Sequence, residues 1–568
     1  MLRITELKLP LDHSEAALPA AILTRLSIKA EELTGFTVFR RGYDSRKKAD
    51  IQLVYTLDVE LPTALEAALL KRFRKDVHIG PTPDTSYKYV AATGSFAANT
   101  PRPVVIGFGP CGILAALILA QMGLRPIILE RGKVVRERTK DTWGFWRKRE
   151  LNTESNVQFG EGGAGTFSDG KLWTQVKDPK HYGRKVLEEF VKAGAPEEIL
   201  YVSKPHIGTF RLVKMVEHIR ATIESLGGEF RFQHRVVDLV LETNNDAGGE
   251  GARQKRIRGV VLDNGKTLAA DQVILAIGHS ARDTFKMLHE RGVYIEPKPF
   301  SIGFRIEHPQ GLIDRARFGP NAGNAILGAA DYKLVHHASN GRSVYSFCMC
   351  PGGTVVAATS EEGRVVTNGM SQYSRNERNA NAGIVVGIEP ADFPADMQNP
   401  LGGIDFQRHW ERRAYELGGG NYNAPGQLVG DFVAGRASTA LGSVEPSFKP
   451  GVQLTDLATA LPDYAVVAMR EALPAFDKTI PGFFMADAVL TAVETRTSSP
   501  IRIKRRDDDL QSLKPVCTFH LPDRTSPVTI KNFEYAILIL IKPKIDDDTP
   551  STELKQIFRK VRTHSAIK

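Results

Sequence analysis

The chain has 568 residues, too many for one ordinary hydrophobic core, so we expect two or three domains. Hydrophobic residues make up 42% and charged residues 25% of the sequence, a composition that excludes wholesale disorder. The net charge of +10 is mild and spread along the chain, which favours anionic small molecules over nucleic acid as ligands.

The cysteines and the N-terminus bear on the cellular compartment. The four cysteines are too few for a disulfide framework and lack the spacing of a zinc site: Cys111, Cys348, Cys350 and Cys517. We therefore expect a reducing compartment and no metal site. No signal-peptide pattern opens the chain, and the apolar run Ile113–Ala120 is far shorter than the roughly 20 residues of a membrane-spanning helix. The sequence predicts a soluble, cytoplasmic protein without a membrane partner.

Residues 1–98 are predicted to form a small α+β domain and a linker. Hydrophobic periodicity predicts, in order, the strand LRITELKL, a helix over Leu18–Leu26, the strand IQLVYTLDVEL and a helix over Thr63–Arg74. The basic stretch RRGYDSRKK is predicted as a turn. Proline and small polar residues predict the linker IGPTPDTSYKYVAATGSFAANTPRP.

The rest of the chain is predicted to hold a doubly wound α/β domain and a β-rich domain. From Val104, a short strand, a glycine-rich turn, a buried helix and the strand PIILE follow the order that opens a doubly wound sheet. A hairpin with its turn at Asn264 and Gly265 is predicted next, followed by a buried strand that re-enters the same sheet. The predicted parts are the dinucleotide-binding domain over 99–300, a β-rich substrate or cap domain over 301–480, a return to the dinucleotide-binding domain over 481–513, and a C-terminal tail over 514–568.

The glycine-rich turn GFGPCG indicates dinucleotide binding. Its first glycine permits a tight turn, the second lets a pyrophosphate approach the main chain, and the third lets helix and strand pack closely. The helix N-terminus then offers unpaired N–H groups to the phosphates. Glu130 ends the next strand, 23 residues after Gly107, and is placed to bind ribose hydroxyls. Contacts are predicted at Gly107, Phe108, Gly109, Pro110, Cys111, Gly112, Glu130, Arg131 and Gly132.

A second glycine-rich segment favours FAD over NAD as the cofactor. GEGGAGTFSDGK, residues 160–171, has five glycines whose uncovered amides suit a phosphate, a ribityl chain or a planar ring, with a flexible surface loop as the alternative. The strand VILAIG also ends in a glycine, as expected beneath a cofactor. Further contacts are predicted at Gly162, Gly163, Gly165, Thr166, Asp169, Lys171, Ile277 and Gly278.

Several longer motifs resemble an uncharacterised bacterial family of FAD-dependent dehydrogenases with a glutathione-reductase-type flavin fold. The resemblance extends to about Leu513 and is carried by NVQFGEGGAGTFSDGKL, KPHIGT, AIGHSARDTF, KPFSIGFRIEHPQ, YSFCMCPGG, TNGMS and VETRTSSPIRI. It implies that FAD lies along the doubly wound domain, with its adenine near Glu130 and the strand around Val236. It also implies that the flavin ring lies between that domain and the β-rich one.

The C-terminal tail departs from this family pattern. The family continues after LQSL with a GEGAGYAGG-like turn that closes over the flavin, whereas residues 514–568 contain no glycine. A change of reading frame near Leu513 is one hypothesis for this tail, and resequencing of the gene tests it. The departure leaves open an inactive or scaffold protein with a flavoprotein fold.

Two motifs of the β-rich part supply candidate catalytic residues. Cys348 and Cys350 form a Cys-x-Cys pair, and a thiolate near a flavin can exchange electrons with it, although buried cysteines usually act as small hydrophobes. GFRIEHP combines a cation, a carboxylate and an imidazole, the groups for anion binding and proton transfer: Arg305, Glu307 and His308. A structural ion pair is the alternative. If this segment is a strand, Arg305 and Glu307 face one side and His308 the other.

Two further polar clusters are candidates for contacts with substrate or flavin. His279 and Arg282 follow the strand VILAIG, and ligands bind at such strand ends, although helix capping by Ser280 or Asp283 explains the motif equally well. The second cluster holds substrate or a flavin carbonyl, or forms a satisfied turn, and comprises Glu494, Arg496, Thr497, Ser498 and Ser499. Within it, Arg496 is the predicted catalytic residue.

The sequence thus predicts an FAD-dependent dehydrogenase or reductase that transfers a hydride between flavin and an unidentified small molecule. A separate electron donor or acceptor is expected, and no nucleic-acid partner. The alternatives are an NAD(P)-dependent dehydrogenase without flavin and an inactive or scaffold protein. No motif specifies the substrate or the oligomeric state.

Overall fold

The computed structural model describes residues 1–91, 101–173, 177–244 and 254–504, which form a mixed α/β fold. The helices are α1 (Ala17–Leu26), α2 (Thr63–Arg72), α3 (Pro110–Gln121), α4 (Val135–Lys148), α5 (Tyr182–Lys192), α6 (Thr209–Ser225), α7 (Arg282–Glu290), α8 (Gln310–Phe318), α9 (Gly402–Leu417), α10 (Val429–Ala434) and α11 (Asp463–Asp477). The strands are β1 (Leu2–Pro10), β2 (Gly35–Asp44), β3 (Gln52–Glu60), β4 (Ile79–Pro81), β5 (Val104–Ile106), β6 (Ile127–Glu130), β7 (Glu229–Phe232), β8 (Val236–Asn244), β9 (Gln254–Leu262), β10 (Thr267–Ala269), β11 (Val273–Leu275), β12 (Ile295–Pro297), β13 (Phe300–Pro309), β14 (Val335–His337), β15 (Ser343–Ala357), β16 (Thr367–Ser371), β17 (Asn379–Ile388), β18 (Ala424–Leu428), β19 (Val452–Leu454), β20 (Val489–Glu494) and β21 (Ile501–Ile503).

The N-terminal unit is an antiparallel sheet with two helices. Its elements follow as β1-α1-β2-β3-α2-β4, and its strands lie in the order β2-β3-β1-β4, which is the ferredoxin-like arrangement. Leu2 and Ile4 on β1 and Leu57 on β3 are fully buried, as expected where alternate residues of a strand face one core. The predicted strands at β1 and β3 and the predicted helices at α1 and α2 are confirmed.

Two predictions for this unit are wrong. The stretch RRGYDSRKK begins inside β2, where Arg40 to Asp44 pair with β3, and is not a turn throughout. The Arg41 guanidinium lies 5.3 Å from the ring of Tyr201, so a charged residue packs within this strand. The predicted linker begins with β4, whose buried Ile79 pairs with β1. Residues 92–100 of that linker lie outside the described part of the chain.

Four parallel strands form the second sheet, in the order β11-β5-β6-β7. Helices α3, α5 and α6 cover one face, and the three-stranded sheet β10-β9-β8 with α7 covers the other. Burial on both faces explains why β5, β6 and β11 are short apolar runs. The predicted hairpin turn at Asn264 and Gly265 and the return of the chain through β11 beside β5 are confirmed.

The third sheet is the largest and confirms the predicted β-rich region. Its strands lie in the order β14-β15-β17-β13-β20-β18-β19, β16 pairs with β15, and α9 and α11 pack on it. All its pairs are antiparallel except β18 with β19. Its apolar residues and those of the N-terminal sheet form one continuous core.

The described residues of the segment 481–513, predicted to return to the dinucleotide-binding domain, lie in two places: β21 pairs with β12 and packs with apolar residues of the parallel sheet, and β20 belongs to the third sheet. Its strand β20 lies between β13 and β18 in the third sheet, and all six of its residues are buried. A strand buried on both faces has no alternating pattern, so its sequence does not show which sheet it joins. The tail 514–568, with Cys517, lies outside the described residues. Within the described part of the chain, no helix is long and apolar enough to cross a membrane.

Candidate functional site

The glycine-rich turn joins β5 to α3, and the structural reason for glycine differs among its three glycine positions. Gly107 has a φ of +96°, and a Cβ there would lie 2.5 Å from the Ala276 carbonyl oxygen. A Cβ on Gly112 would lie 1.8 Å from the Gly107 carbonyl oxygen, so this glycine lets α3 pack against the turn. A Cβ on Gly109 would meet only the Gly163 Cα, at an ordinary contact distance of 3.6 Å. The protein itself therefore does not require glycine at position 109.

The carboxylate of Glu130 connects the two glycine-rich segments. It ends β6 and accepts hydrogen bonds from the backbone N–H groups of Phe108, Gly132 and Gly160, each at 2.9 Å. An ionised carboxylate offers about four lone-pair sites, so these three bonds leave about one for a ligand. Glu130 is buried and lines the cleft described below, which agrees with its predicted role at a ribose.

The second glycine-rich segment is held from behind by Arg138 on α4. The fully buried guanidinium donates to the carbonyl oxygens of Asn156, Val157, Gly160 and Glu161 at 2.7 to 3.3 Å. Burial lowers the pKa of Arg138 to about 10, which leaves it charged at neutral pH. The alternative that this segment is a flexible surface loop is therefore wrong. Sequence analysis missed Arg138, because its partners are carbonyl groups, which every residue type provides.

A cleft lies between the two glycine-rich segments, at the carboxyl ends of β5, β6 and β11. The predicted cofactor contacts that line it are Gly107, Gly109, Pro110, Cys111, Glu130, Arg131, Gly163, Gly165, Val236, Ile277 and Gly278. The predicted contacts that lie outside its wall are Phe108, Gly112, Gly132, Gly162, Thr166, Asp169 and Lys171. Phe108, for example, is fully buried against Phe230, with their ring centroids 4.7 Å apart.

Two observations indicate that the cleft suits a dinucleotide. The backbones of Gly109 and Gly163 approach each other at its wall, where a Cβ on Gly163 would lie 2.7 Å from the Gly109 Cα. His279 also lines the cleft, and its buried Nε2 has no hydrogen-bond partner among the described residues. Burial and the nearby Arg496 lower the pKa of His279 to about 3, so the ring is neutral and Nε2 is available to a ligand.

A buried network of charges supports the cleft behind His279. The Arg282 guanidinium donates to both carboxylate oxygens of Glu411, at 2.7 and 2.9 Å, and Arg496 donates to the same carboxylate at 3.1 Å. Arg496 also donates to Ser280, whose backbone lines the cleft. Burial alone would raise the pKa of Glu411, but Arg282 and Arg496 lower it overall. Arg496 thus supports the wall of the cleft without lining it.

The other predicted catalytic residues lie on the third sheet, in two separate places. Glu307 accepts hydrogen bonds from Asn379 and Ser447, and burial raises its pKa. His308 is fully buried and hydrogen-bonds through Nε2 to the Phe483 carbonyl oxygen at 2.7 Å. Neither residue lines the cleft. Both lie on β13, and Arg305 on the same strand belongs to a different cluster.

That cluster surrounds the cysteine pair and is called the thiol cluster below. It comprises Asp169, Lys171, Arg305, Cys348, Cys350, Arg375 and Glu494. Its ion pairs are Arg305 to Glu494 at 2.7 Å, Arg375 to Asp169 at 2.5 Å and Lys171 to Asp169 at 3.3 Å. Asp169 and Lys171, predicted as cofactor contacts, are therefore found together with the predicted catalytic residues Arg305, Cys348 and Cys350.

Comparisons with known proteins agree with these features. Residues 299–497 match a family described as FAD-dependent protein, C-terminal domain-like, and residues 1–60 match a domain of unknown function. An uncharacterised protein of Clostridium beijerinckii is 45% identical over 509 residues, which is 89% of this chain and 91% of the relative.

Solved structures show only distant similarity. The crystal structure of CtdE in complex with FAD is 11% identical with a TM-score of 0.29, covering 77% of this chain and 82% of that chain. The 3-ketosteroid-delta4-(5alpha)-dehydrogenase of Rhodococcus jostii RHA1 is 14% identical with a TM-score of 0.25, covering 45% and 68%. These TM-scores give no basis for transferring a function. On the sequence relationships, the chain belongs to an uncharacterised family of FAD-dependent proteins.

Proposed function

We propose that the protein is an FAD-dependent oxidoreductase that transfers a hydride between flavin and an unidentified small molecule. The cleft between the two glycine-rich segments carries this proposal, because it lies at the carboxyl ends of parallel strands and beside the N-terminus of α3. In this proposal the parallel sheet and its covering layers form the doubly wound, Rossmann-type domain. The third sheet supplies the substrate side of the flavin.

Different residues of the cleft would bind different parts of FAD. FAD, when bound, supplies the hydride chemistry. The turn at Gly107–Cys111 and the positive end of α3 bind the pyrophosphate. Glu130 would accept a hydrogen bond from one ribose hydroxyl through its remaining lone pair, and Val236 would border the adenine. Neutral His279 hydrogen-bonds a polar atom of the ligand through Nε2.

The visible absorbance spectrum of the purified full chain tests this proposal. We expect flavin bands, and FAD as the molecule released on denaturation and identified by its mass. A colourless protein that takes up no added FAD would overturn the proposal and support an inactive or scaffold protein. Bound NAD(P) without flavin would instead support the nicotinamide-dependent alternative. Anaerobic bleaching of the flavin by candidate small molecules then identifies the substrate.

A matched pair of variants ties the flavin to this cleft. In the wild type, three backbone N–H groups donate to the Glu130 carboxylate. Glu130→Gln replaces one carboxylate oxygen by an NH₂ group, which cannot accept these hydrogen bonds, so the two glycine-rich segments lose part of their connection and we expect the FAD content to fall. Glu416→Gln is the control, because Glu416 is exposed on α9 and does not line the cleft. Circular dichroism verifies that both variants are folded. Equal FAD content in the two variants would contradict the assignment of Glu130.

A further inference from the structure

An irregularity in β15 brings the two cysteines of the thiol cluster together. In a regular strand, residues two apart are separated by about 7 Å along the strand. Between Phe347 and Cys350, however, β15 advances three residues while its partner β17 advances two, from Gly383 to Asn381. This is a bulge, and Cys348 within it has a φ of +42°, a conformation that non-glycine residues rarely adopt. The Cys350 thiol consequently reaches back to residue 348 and donates a hydrogen bond to the Cys348 carbonyl oxygen at 3.3 Å.

The charges of the thiol cluster favour a thiolate. Three cations, Lys171, Arg305 and Arg375, lie beside the cysteines, with Asp169 and Glu494 as their ion-pair partners and Asp331 near Arg375. The Lys171 Nζ lies 4.0 Å from the Cys350 Sγ, and Arg305 donates to the Cys348 carbonyl oxygen at 2.9 Å.

The titration of the cysteines and their neighbours agrees with these charges. The neighbouring Cys350, together with Lys171 and Arg305, lowers the pKa of Cys348 well below its usual value against the effect of burial. Burial raises the pKa of Glu494 to about 7, so this carboxyl is only partly ionised and compensates less of the positive charge. His206, beside Asp169, stays neutral, because burial lowers its pKa to about 4.

The two thiols differ in their access to solvent. Cys348 is partly exposed, whereas Cys350 is fully buried. An attacking thiolate needs access to its substrate, and a resolving thiol needs only access to the attacking sulfur. The arrangement therefore gives Cys348 the first role and Cys350 the second.

We propose that Cys348 and Cys350 form a redox-active dithiol that exchanges with low-molecular-weight disulfides. The Cys348 thiolate attacks one sulfur of the substrate, so that a mixed disulfide forms and one substrate thiolate leaves and takes up a proton. The Cys350 thiol loses its proton and attacks the Cys348 sulfur, so that the Cys348–Cys350 disulfide forms and the second substrate thiol leaves. In sum, the protein supplies two electrons and the Cys350 proton, solvent supplies the second proton, and one substrate disulfide becomes two thiols. Excess thiol reverses the exchange, so this redox centre operates without flavin.

Glutathione buffers of graded ratio test the proposal on the full-length wild-type protein. After rapid alkylation, mass spectrometry of the peptide that contains both cysteines should show an internal disulfide that increases with the fraction of oxidised glutathione. Cys111, buried in α3, is the internal control and should remain reduced. Absence of the internal disulfide at every ratio would overturn the proposal. Because the measurement does not require bound flavin, its outcome is independent of the function proposed above.

Variants test the separate roles of the two thiols and of Lys171. Cys350→Ser should accumulate the mixed disulfide of glutathione at Cys348, whereas Cys348→Ser should form neither product. Lys171→Met should slow alkylation of Cys348 at neutral pH about tenfold, and Lys171→Arg should restore the rate. Lys192→Met is the matched control, because Lys192 is exposed and pairs with Glu189 on α5, outside the thiol cluster. Equal alkylation rates for Cys348 and Cys111 in the folded wild type would contradict the thiolate assignment.

Discussion

Replacing Gly109 by alanine separates the protein's requirements from those of its ligand. The residue precedes α3 with a φ of −79° and a ψ of −174°, an extended conformation open to alanine. The added methyl group meets no described protein atom closer than 3.6 Å. We therefore expect the free energy of unfolding to change by no more than about 1 kcal/mol, with either sign.

The same methyl group should strongly weaken FAD binding. Gly109 lines the cleft, where the second glycine of the turn lets a pyrophosphate approach the main chain. A methyl group there holds the phosphates away from the amides of α3. We expect the Kd for FAD to rise at least about tenfold, which corresponds to about 1.4 kcal/mol.

Two measurements on each variant check this prediction. Urea unfolding of the flavin-free protein gives stability, and titration with FAD followed by flavin fluorescence gives the Kd. Gly112→Ala is the contrasting variant, because its Cβ would lie 1.8 Å from the Gly107 carbonyl oxygen and should destabilise the fold by about 1–3 kcal/mol or more. A Gly109→Ala protein with unchanged stability and unchanged Kd would refute the assignment of this cleft to FAD.

Three further predictions concern buried titratable groups. Glu411→Gln leaves two buried guanidinium groups with too little negative charge and should cost about 3–5 kcal/mol in urea unfolding, while Glu416→Gln on the exposed side of the same helix should cost under about 1 kcal/mol. Arg138→Met leaves four carbonyl groups without their donor and should cost at least about 3 kcal/mol, with loss of FAD binding. Burial lowers the pKa of His308 from 6.5 to about 4, so its contribution is complete above pH 6.5 and is lost as the pH falls toward 4, by about 1.4 kcal/mol per pH unit. His308→Gln should remove that part of the acid sensitivity measured by urea unfolding, whereas His289→Gln at an exposed position should not.

The sequence located the glycine-rich turn because its signals are local. A strand, a turn with glycines at 107, 109 and 112, and a helix lie within 18 residues, and Gly107 and Gly112 each have a steric reason within that unit or its neighbouring strand. Glu130 was found by its position at the end of the next strand. Its three backbone donors were not predictable, because two of them belong to the turn before it and the segment after it.

Contacts between distant residues could not be read from the sequence. Arg282 and Glu411 are 129 residues apart, and nothing in the sequence around either residue indicates that the two form an ion pair. The position of β20 in the third sheet could not be predicted for the related reason that a fully buried strand carries no signal of its neighbours. The charged stretch that begins in β2 was misassigned as a turn, and its Arg41 packs on the ring of Tyr201, which another element supplies. In each case the missing information is which distant residues pack together in the tertiary structure.

The segment 160–171 joins the two candidate sites and constrains how they can be tested. Gly163 and Gly165 line the cleft, while Asp169 and Lys171, only a few residues later, belong to the thiol cluster. Arg138 holds the carbonyls at the start of this segment, and Arg375 pairs with Asp169 near its end. Loss of either arginine would therefore disturb both sites at once. Substitutions that change one site alone must act within it, as a methyl group on Gly109 does in the cleft and loss of the Cys350 thiol does in the thiol cluster.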